Sequence, residues 1–164
     1  GRVAEIGFDL ANTQSVGKIP VLLLVSTSID LKALNDSPRF ASHSFFALNA
    51  MQHLDKLNST HKTQSFLDIL DNTIKYVKPS YLIVHLGLAF EHYPAEILNT
   101  VLDVKEFYPK IKIGFDRGLE YAIHRIQVLV TATPEKKKLL DRLINNQSFF
   151  DSDKEMIYLA SCLL

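Results

Sequence analysis

Several side chains that can donate, accept or move protons follow apolar stretches of this sequence. His85 lies at the end of YLIVHL, Asp9 follows the first IGF, and Asp116 and Arg117 follow the second IGF. Imidazole and carboxylate groups held close together are typical of general acid–base catalysis, and an arginine can fix an anion through paired hydrogen bonds. If these residues converge, they predict an enzymatic or small-ligand site with His85, Asp116 and Asp9 as its catalytic candidates.

Hydroxyl groups stand at comparable places and are candidates for ligand binding together with Arg117. Ser26 and Thr27 follow IPVLLLV, and Thr133 follows IQVLVTA. Hydroxyls after strands more often cap helices or form turns. In the same way, the apolar run around His85 favours a buried structural histidine over a catalytic base.

The common cofactor and nucleophile motifs are missing from this sequence. There is no GxxxxGK[ST] phosphate loop, no GxGxxG fingerprint and no GxSxG elbow. The six histidines show no HExxH spacing, and the one cysteine, Cys162, forms no cysteine zinc cage. We therefore predict no cofactor and no metal.

The candidate residues must be positioned by an alternation of strands and helices. Five apolar, β-branched runs predict strands, namely Val3–Phe8, Pro20–Val25, Tyr81–Leu86, Ile111–Phe115 and Ile126–Thr131. Helices are predicted from Ser37-Pro38 to Leu57, over Ser65–Lys78, from Pro94 to Tyr108, from Thr133-Pro134 onward, and over Asp153–Leu164. Nearly continuous apolar strands alternating with helices predict a three-layer α/β fold with a mostly parallel five-stranded sheet.

Length and charge limit the class of protein. The 164 residues fit one domain over 1–164, and the apolar ending SCLL suggests a fragment of a longer chain. Eighteen basic residues balance eighteen acidic ones, so we expect neither nucleic-acid binding nor attraction to a charged membrane. No apolar run reaches the ~20 residues of a membrane span, and the cysteine content fits the cytoplasm.

The helix predicted at 152–164 is apolar around much of its circumference. One side can pack on the sheet, and the other calls for a partner protein, the rest of a longer chain or a second copy of this one. We therefore predict a protein partner or a homodimer through this helix.

Two stretches resemble a two-component receiver domain, a member of the flavodoxin-like folds. They are PSYLIVHLGLAFEHYPAEILNTVLDVKEFYPKIKIGF and GLEYAIHRIQVLVTATPEKKKLLDRLI, within a resemblance that spans about Ile19 to Asn146. The resemblance places Ser26-Thr27 at the receiver's acidic pair, His85 at its phosphoacceptor aspartate and Thr133 at its lysine. Near Asp116 a receiver has threonine or serine. The resemblance thus implies a degenerate receiver without phosphoacceptor chemistry.

Three hypotheses follow. The first is a non-catalytic, receiver-like regulatory domain that works through protein contacts in a signalling or regulatory protein. The second is an α/β enzyme or small-ligand-binding domain that uses Asp9, His85, Asp116 and Arg117. The third is a purely structural assembly domain.

Overall fold

The computed structural model describes residues 17–60, 65–129, 134–146 and 154–162. In this part of the chain, four strands form one parallel sheet: β1 (Ile19–Val25), β2 (His43–Asn49), β3 (Tyr81–Val84) and β4 (Lys112–Phe115). Their order across the sheet is β2-β1-β3-β4. Leu24 stands beside Val84, and Val84 beside Phe115, so β1, β3 and β4 end close to the same level. The predicted α/β class and parallel sheet are confirmed.

Helices connect and flank the strands. Those in the described ranges are α1 (Leu31–Asp36), α2 (Ala50–Thr60), α3 (Phe66–Val77), α4 (Leu88–His92), α5 (Pro94–Phe107), α6 (Leu119–Leu129), α7 (Pro134–Asn145) and α8 (Lys154–Cys162). Helix α5 has 14 residues, whereas a membrane-spanning helix needs about 20. Over the described ranges, no helix combines the length and the apolarity needed to cross a bilayer.

The sheet is apolar on both faces, because successive side chains of a strand point to opposite sides. Leu22 and Leu24 of β1 belong to a core that also contains buried residues from α2 to α7. Val21 and Leu23 belong to a second core, which contains buried residues of α8 and half-buried residues of α1. Helices therefore bury both faces of the central strand, as the nearly unbroken apolar sequence IPVLLLV predicts.

The ends of the helices on either side of β3 follow local sequence signals. The Ser65 hydroxyl accepts the Asp68 N–H at 3.2 Å and caps α3. That helix ends with Lys78 in the left-handed conformation, at φ 52°, directly before Pro79. Pro94 is the first residue of α5, where its missing N–H costs no helical hydrogen bond. The helices predicted over Ser65–Lys78 and Pro94–Tyr108, and from Pro134, are confirmed.

The single helix predicted from Ser37-Pro38 to Leu57 is wrong in its first half. Residues Pro38–Phe40 form one short 3-10 turn, β2 occupies His43–Asn49, and α2 begins at Ala50. Phe45 and Phe46 lie in the two different cores, and both are at most 5% exposed. Adjacent side chains buried on opposite sides require a strand between two apolar layers, so β2 pairs with β1 along seven residue pairs.

The strand predicted over Ile126–Thr131 is also wrong as far as the described residues reach. Ile126 to Leu129 belong to α6. Ala122 and Ile126, four residues apart, are fully buried, whereas Val128 is 61% exposed. This is a helical pattern of burial, because residues four apart share one face of a helix. The predicted strand Val3–Phe8 lies outside the described residues. The described residues contain four strands, whereas five were predicted for the whole chain.

Helix α8 packs on the face of the sheet that carries Leu23. Met156 and Leu159 are each 1% exposed and belong to the second core. Glu155 reaches the amino ends of two strands: its Oε1 lies 2.8 Å from His43 Nε2, and its Oε2 accepts the Tyr81 hydroxyl at 2.8 Å. The predicted helix Asp153–Leu164 is confirmed over Lys154–Cys162.

Candidate functional site

The carboxyl ends of β3 and β4 bring His85 and Asp116 together. Val84 and Phe115 are the last paired residues of these strands, so the next residue of each lies beside the other. The distance between His85 Nε2 and Asp116 Oδ2 is 3.5 Å. The convergence of these two residues, expected from their places after apolar strands, is therefore present in the structure.

His85 is not the buried histidine that the sequence favoured. The strand ends at Val84, and the His85 side chain is 44% exposed. The His85 N–H still donates to the Leu24 carbonyl of β1 at 2.8 Å, whereas the next N–H, of Leu86, is bonded to the Asp116 side chain, at 3.1 Å from Oδ1. The imidazole thus lies at the rim of the sheet.

Asp116 is the buried carboxylate of the site, with 3% of its side chain exposed. Its backbone N–H donates to the Val84 carbonyl at 3.0 Å, and its Oδ1 accepts the Leu86 N–H. The 3.5 Å contact with the imidazole is longer than an ordinary N–H···O hydrogen bond, which spans about 2.7–3.2 Å. Asp116 thus has one firm hydrogen bond to the backbone and one loose neighbour in His85.

Ser26 has a structural task at the end of β1. It is 7% exposed, and its hydroxyl accepts the Ala89 N–H at 3.0 Å near the start of α4. A Cβ on Gly87 would lie 2.9 Å from Ser26 Oγ and 3.4 Å from His85 Nδ1. The absence of a Cβ at residue 87 therefore lets the loop after β3 lie close to Ser26 at the end of β1.

A cavity of about 220 Å³ opens beside His85 and Asp116. Its apolar walls come from β1, the following loop, α1 and β3, and its polar groups are two carboxylates and one imidazole. The lining residues are Leu23, Val25, Ile29, Asp30, Leu34, Ile83, His85 and Asp116. The cavity lies where the strand order reverses, between β1 and β3, which is where open α/β sheets bind ligands.

Asp30 is held at this cavity by its role as the cap of α1. Its Oδ1 accepts the Ala33 N–H at 3.0 Å. The sequence places Asp30 at the start of a helix, but nothing in its pattern shows that Ile29 and Leu34 close the cavity on that side. Their contribution depends on the angle at which α1 crosses the sheet, which sequence periodicity does not encode.

Two of the candidate ligand-binding residues, Thr27 and Arg117, are not among those that line the cavity. Thr27 is exposed, and the exposed Arg117 holds its guanidinium 5.1 Å from the centre of the Tyr121 ring. Asp9 and Thr133 lie outside the described residues. The structure thus places His85 and Asp116 at the cavity and gives Ser26 a capping contact beside it.

A metal needs several converging ligands, which His85, Asp30 and Asp116 do not form. Within residues 17–60, 65–129, 134–146 and 154–162, no group of three histidine, cysteine, aspartate or glutamate side chains is arranged to hold a metal ion. The described polar groups, one imidazole and two carboxylates, can take part in hydrogen bonding, charge pairing and proton transfer.

Neither protein-family models nor curated proteins nor solved structures include a match to this chain.

Proposed function

We propose that this chain is a regulatory domain of receiver-like topology that acts by binding and not by phosphoryl transfer. The observation that carries the proposal is the all-parallel strand order β2-β1-β3-β4. Flavodoxin-like sheets, to which receivers belong, have the order 2-1-3-4-5. The agreement concerns topology and supports function only by analogy.

The residues at the strand ends support the loss of phosphoryl transfer. That reaction needs cations that stabilise the charge developing on the phosphoryl group, and carboxylates that hold those cations. After β1 the chain has Ser26 and Thr27 in place of acids, and Ser26 is engaged with the Ala89 N–H. After β3 it has His85 in place of the aspartate that a receiver phosphorylates.

Treatment with Mg²⁺ and acetyl phosphate tests this proposal. We expect the intact mass of the protein to stay unchanged, while a working receiver treated in parallel gains one phosphoryl group. An acid-labile phosphoryl adduct on an aspartate of this chain would refute the proposal.

Partners of such a domain would be proteins, including a second copy of this chain, in the cytoplasm. What supports a contact surface on α8 is the exposure of Ile157, at 45%, beside the buried Met156. Ile157→Glu should then weaken self-association, measured by light scattering. Leu159 is not replaced in this experiment, because it is buried against the sheet and its loss would disturb the fold. A monomer at every concentration would remove the homodimer from the proposal.

A second candidate function is a small-ligand-binding domain or an enzyme that uses His85 and Asp116, with Asp9 and Arg117 as further candidates. The cavity of about 220 Å³ beside the 3.5 Å contact favours it, because small-molecule sites combine apolar walls with a few convergent polar groups. Binding of a small molecule that shifts the resonances of Leu23 and Ile83 would support this function.

A further inference from the structure

We infer that the cavity between β1, α1 and β3 takes a small organic cation, an amine carried on a compact apolar body. The inference rests on the second candidate function and names the ligand class for that site. The walls of the cavity are made by five apolar side chains, and the polar groups of the cavity are Asp30, His85 and Asp116. Two of the three polar lining groups are carboxylates, which are acceptors and carry negative charge when ionised, so the cavity favours a ligand that donates hydrogen bonds and carries positive charge.

The arrangement around Asp116 favours a cationic partner. A carboxylate has two oxygens and about four acceptor sites, and burying it without strong partners is costly. Among the described residues, Oδ1 accepts one backbone N–H, and Oδ2 faces the His85 nitrogen at 3.5 Å. An ammonium group within the cavity would supply a short charge-assisted hydrogen bond to a carboxylate that is 3% exposed.

Asp30 adds a second carboxylate at a fixed place. Because its Oδ1 caps α1 through the Ala33 N–H, the side chain is held beside the cavity. The nearby Lys32 is paired with Asp36 at 2.5 Å on the same helix. Lys32 does not line the cavity, although its charge also acts on Asp30, so Asp116 is the carboxylate that carries the argument for a cation.

An anionic ligand fits this lining less well. Arg117, the sequence candidate for fixing an anion, stacks over Tyr121 at 5.1 Å and does not line the cavity. Among the described lining residues His85 is the one basic side chain, so an anion would approach Asp30 and Asp116 mainly against like charge, which repels at short distance. The lining thus discriminates by charge.

The volume limits the ligand to a small body. A dry cavity of about 150 Å³ lined by apolar side chains is large enough to bind benzene. The present cavity, at about 220 Å³, has room for a ring or a short branched chain with one further polar group. Benzylamine has this size and charge, and benzyl alcohol and benzoate are its neutral and anionic counterparts.

Titration of the full chain with these three compounds tests the inference, with methyl resonances of Leu23 and Leu34 as the readout. We expect benzylamine to bind at least roughly tenfold more tightly than benzyl alcohol, in line with one charge-assisted hydrogen bond. Asp116→Asn should remove most of that preference, because the amide keeps an oxygen for the Leu86 N–H but carries no charge. Asp141→Asn, on the exposed side of α7, is the matched control and should leave binding unchanged.

Each alternative result overturns a different statement. Equal binding of benzylamine and benzyl alcohol, or tighter binding of benzoate, would refute the cationic ligand class and leave a small-ligand site in place. Failure of all three compounds to shift either methyl group would refute the ligand site itself. Neither result bears on phosphoryl transfer, which the acetyl phosphate experiment tests independently.

Discussion

Replacement of Asp116 should reveal whether this residue stabilises the fold through its hydrogen bond or through its charge. Asp116→Ala removes the acceptor of the Leu86 N–H, which lies 3.1 Å from Oδ1. A buried donor without a partner costs about 1–3 kcal/mol. Because Leu86 is only half-buried, water can replace part of the lost bond, and we expect a loss of about 1–2 kcal/mol in the free energy of unfolding.

Three companion variants separate the contributions at this site. Asp116→Asn keeps an oxygen for the Leu86 N–H and should lose less than about 1 kcal/mol. His85→Ala removes a 3.5 Å contact from a side chain that is 44% exposed, and exposed pairs contribute only about 0–1 kcal/mol. His85→Leu should be tolerated as well, because the imidazole lies at the rim of the sheet.

Urea unfolding followed by circular dichroism measures these differences, provided the slope against urea is unchanged among the variants. Asp141→Asn again provides an exposed carboxylate as the control. If His85→Ala were as costly as Asp116→Ala, the pair of side chains, and not the backbone hydrogen bond, would be the stabilising contact. If Asp116→Asn were as costly as the alanine variant, the charge would be what the fold needs.

Three further predictions concern other contacts. The hydrogen bond to Asp71 raises the pKa of Tyr108 to about 12, so its stabilisation is fully present below pH ~10 and lost as the pH rises through about 12. Tyr108→Phe should therefore cost about 1–2 kcal/mol at neutral pH and lose this alkaline dependence in urea melts. Gly87→Ala should destabilise the protein by about 1–3 kcal/mol, because the new Cβ would lie 2.9 Å from Ser26 Oγ. The loss of stability in the double variant with Ser26→Ala should be smaller than the sum of the two single losses, because Oγ is then absent. Glu155→Ala should speed amide hydrogen exchange in α8 relative to α5, because two hydrogen-bonded contacts of α8 are lost. The same exchange rate of α8 in the wild type and in Glu155→Ala would show that apolar packing alone holds α8.

The parts of the fold that sequence predicted are those with local signals. The cap at Ser65, the helix start at Pro94 and the stop before Pro79 follow from residue types that act within one helical turn, and the structure has all of them. The strand IPVLLLV was also recognisable, since a run of only seven apolar residues that includes the β-branched Ile19, Val21 and Val25 suits a buried strand better than a helix.

The elements that the sequence analysis predicted wrongly are those whose structure depends on what packs against each of their faces. HSFFALN is short and apolar, and a run of this kind cannot be distinguished from a buried helix by periodicity alone. Only the apolar cover on both faces makes it a strand. Conversely, IQVLV has the β-branched composition of a strand, but its Ile126 continues the buried helical face to which Ala122 belongs.

The candidate site was predictable to the same extent. Parallel strands that end level bring the residues after them together, so His85 and Asp116 could be paired from the sequence. The exposure of His85 could not, because it depends on where β3 ends and on how the following loop leaves the sheet. The cavity required α1 to be placed over β1, which is a tertiary contact without a local signature.

The anchoring of α8 sets an order of events during synthesis. Glu155 finds its partners 112 and 74 residues earlier in the chain, at His43 and Tyr81. Contacts between residues this far apart close large loops. Because closing a large loop costs conformational entropy, such contacts form late in folding. On a ribosome, β1 to β4 and the helices between them emerge before α8, so the apolar face around Leu23 lacks the cover of Met156 and Leu159 until then. A nascent chain stalled before residue 154 should therefore be a better substrate for chaperones that bind apolar surfaces than one stalled well beyond residue 164.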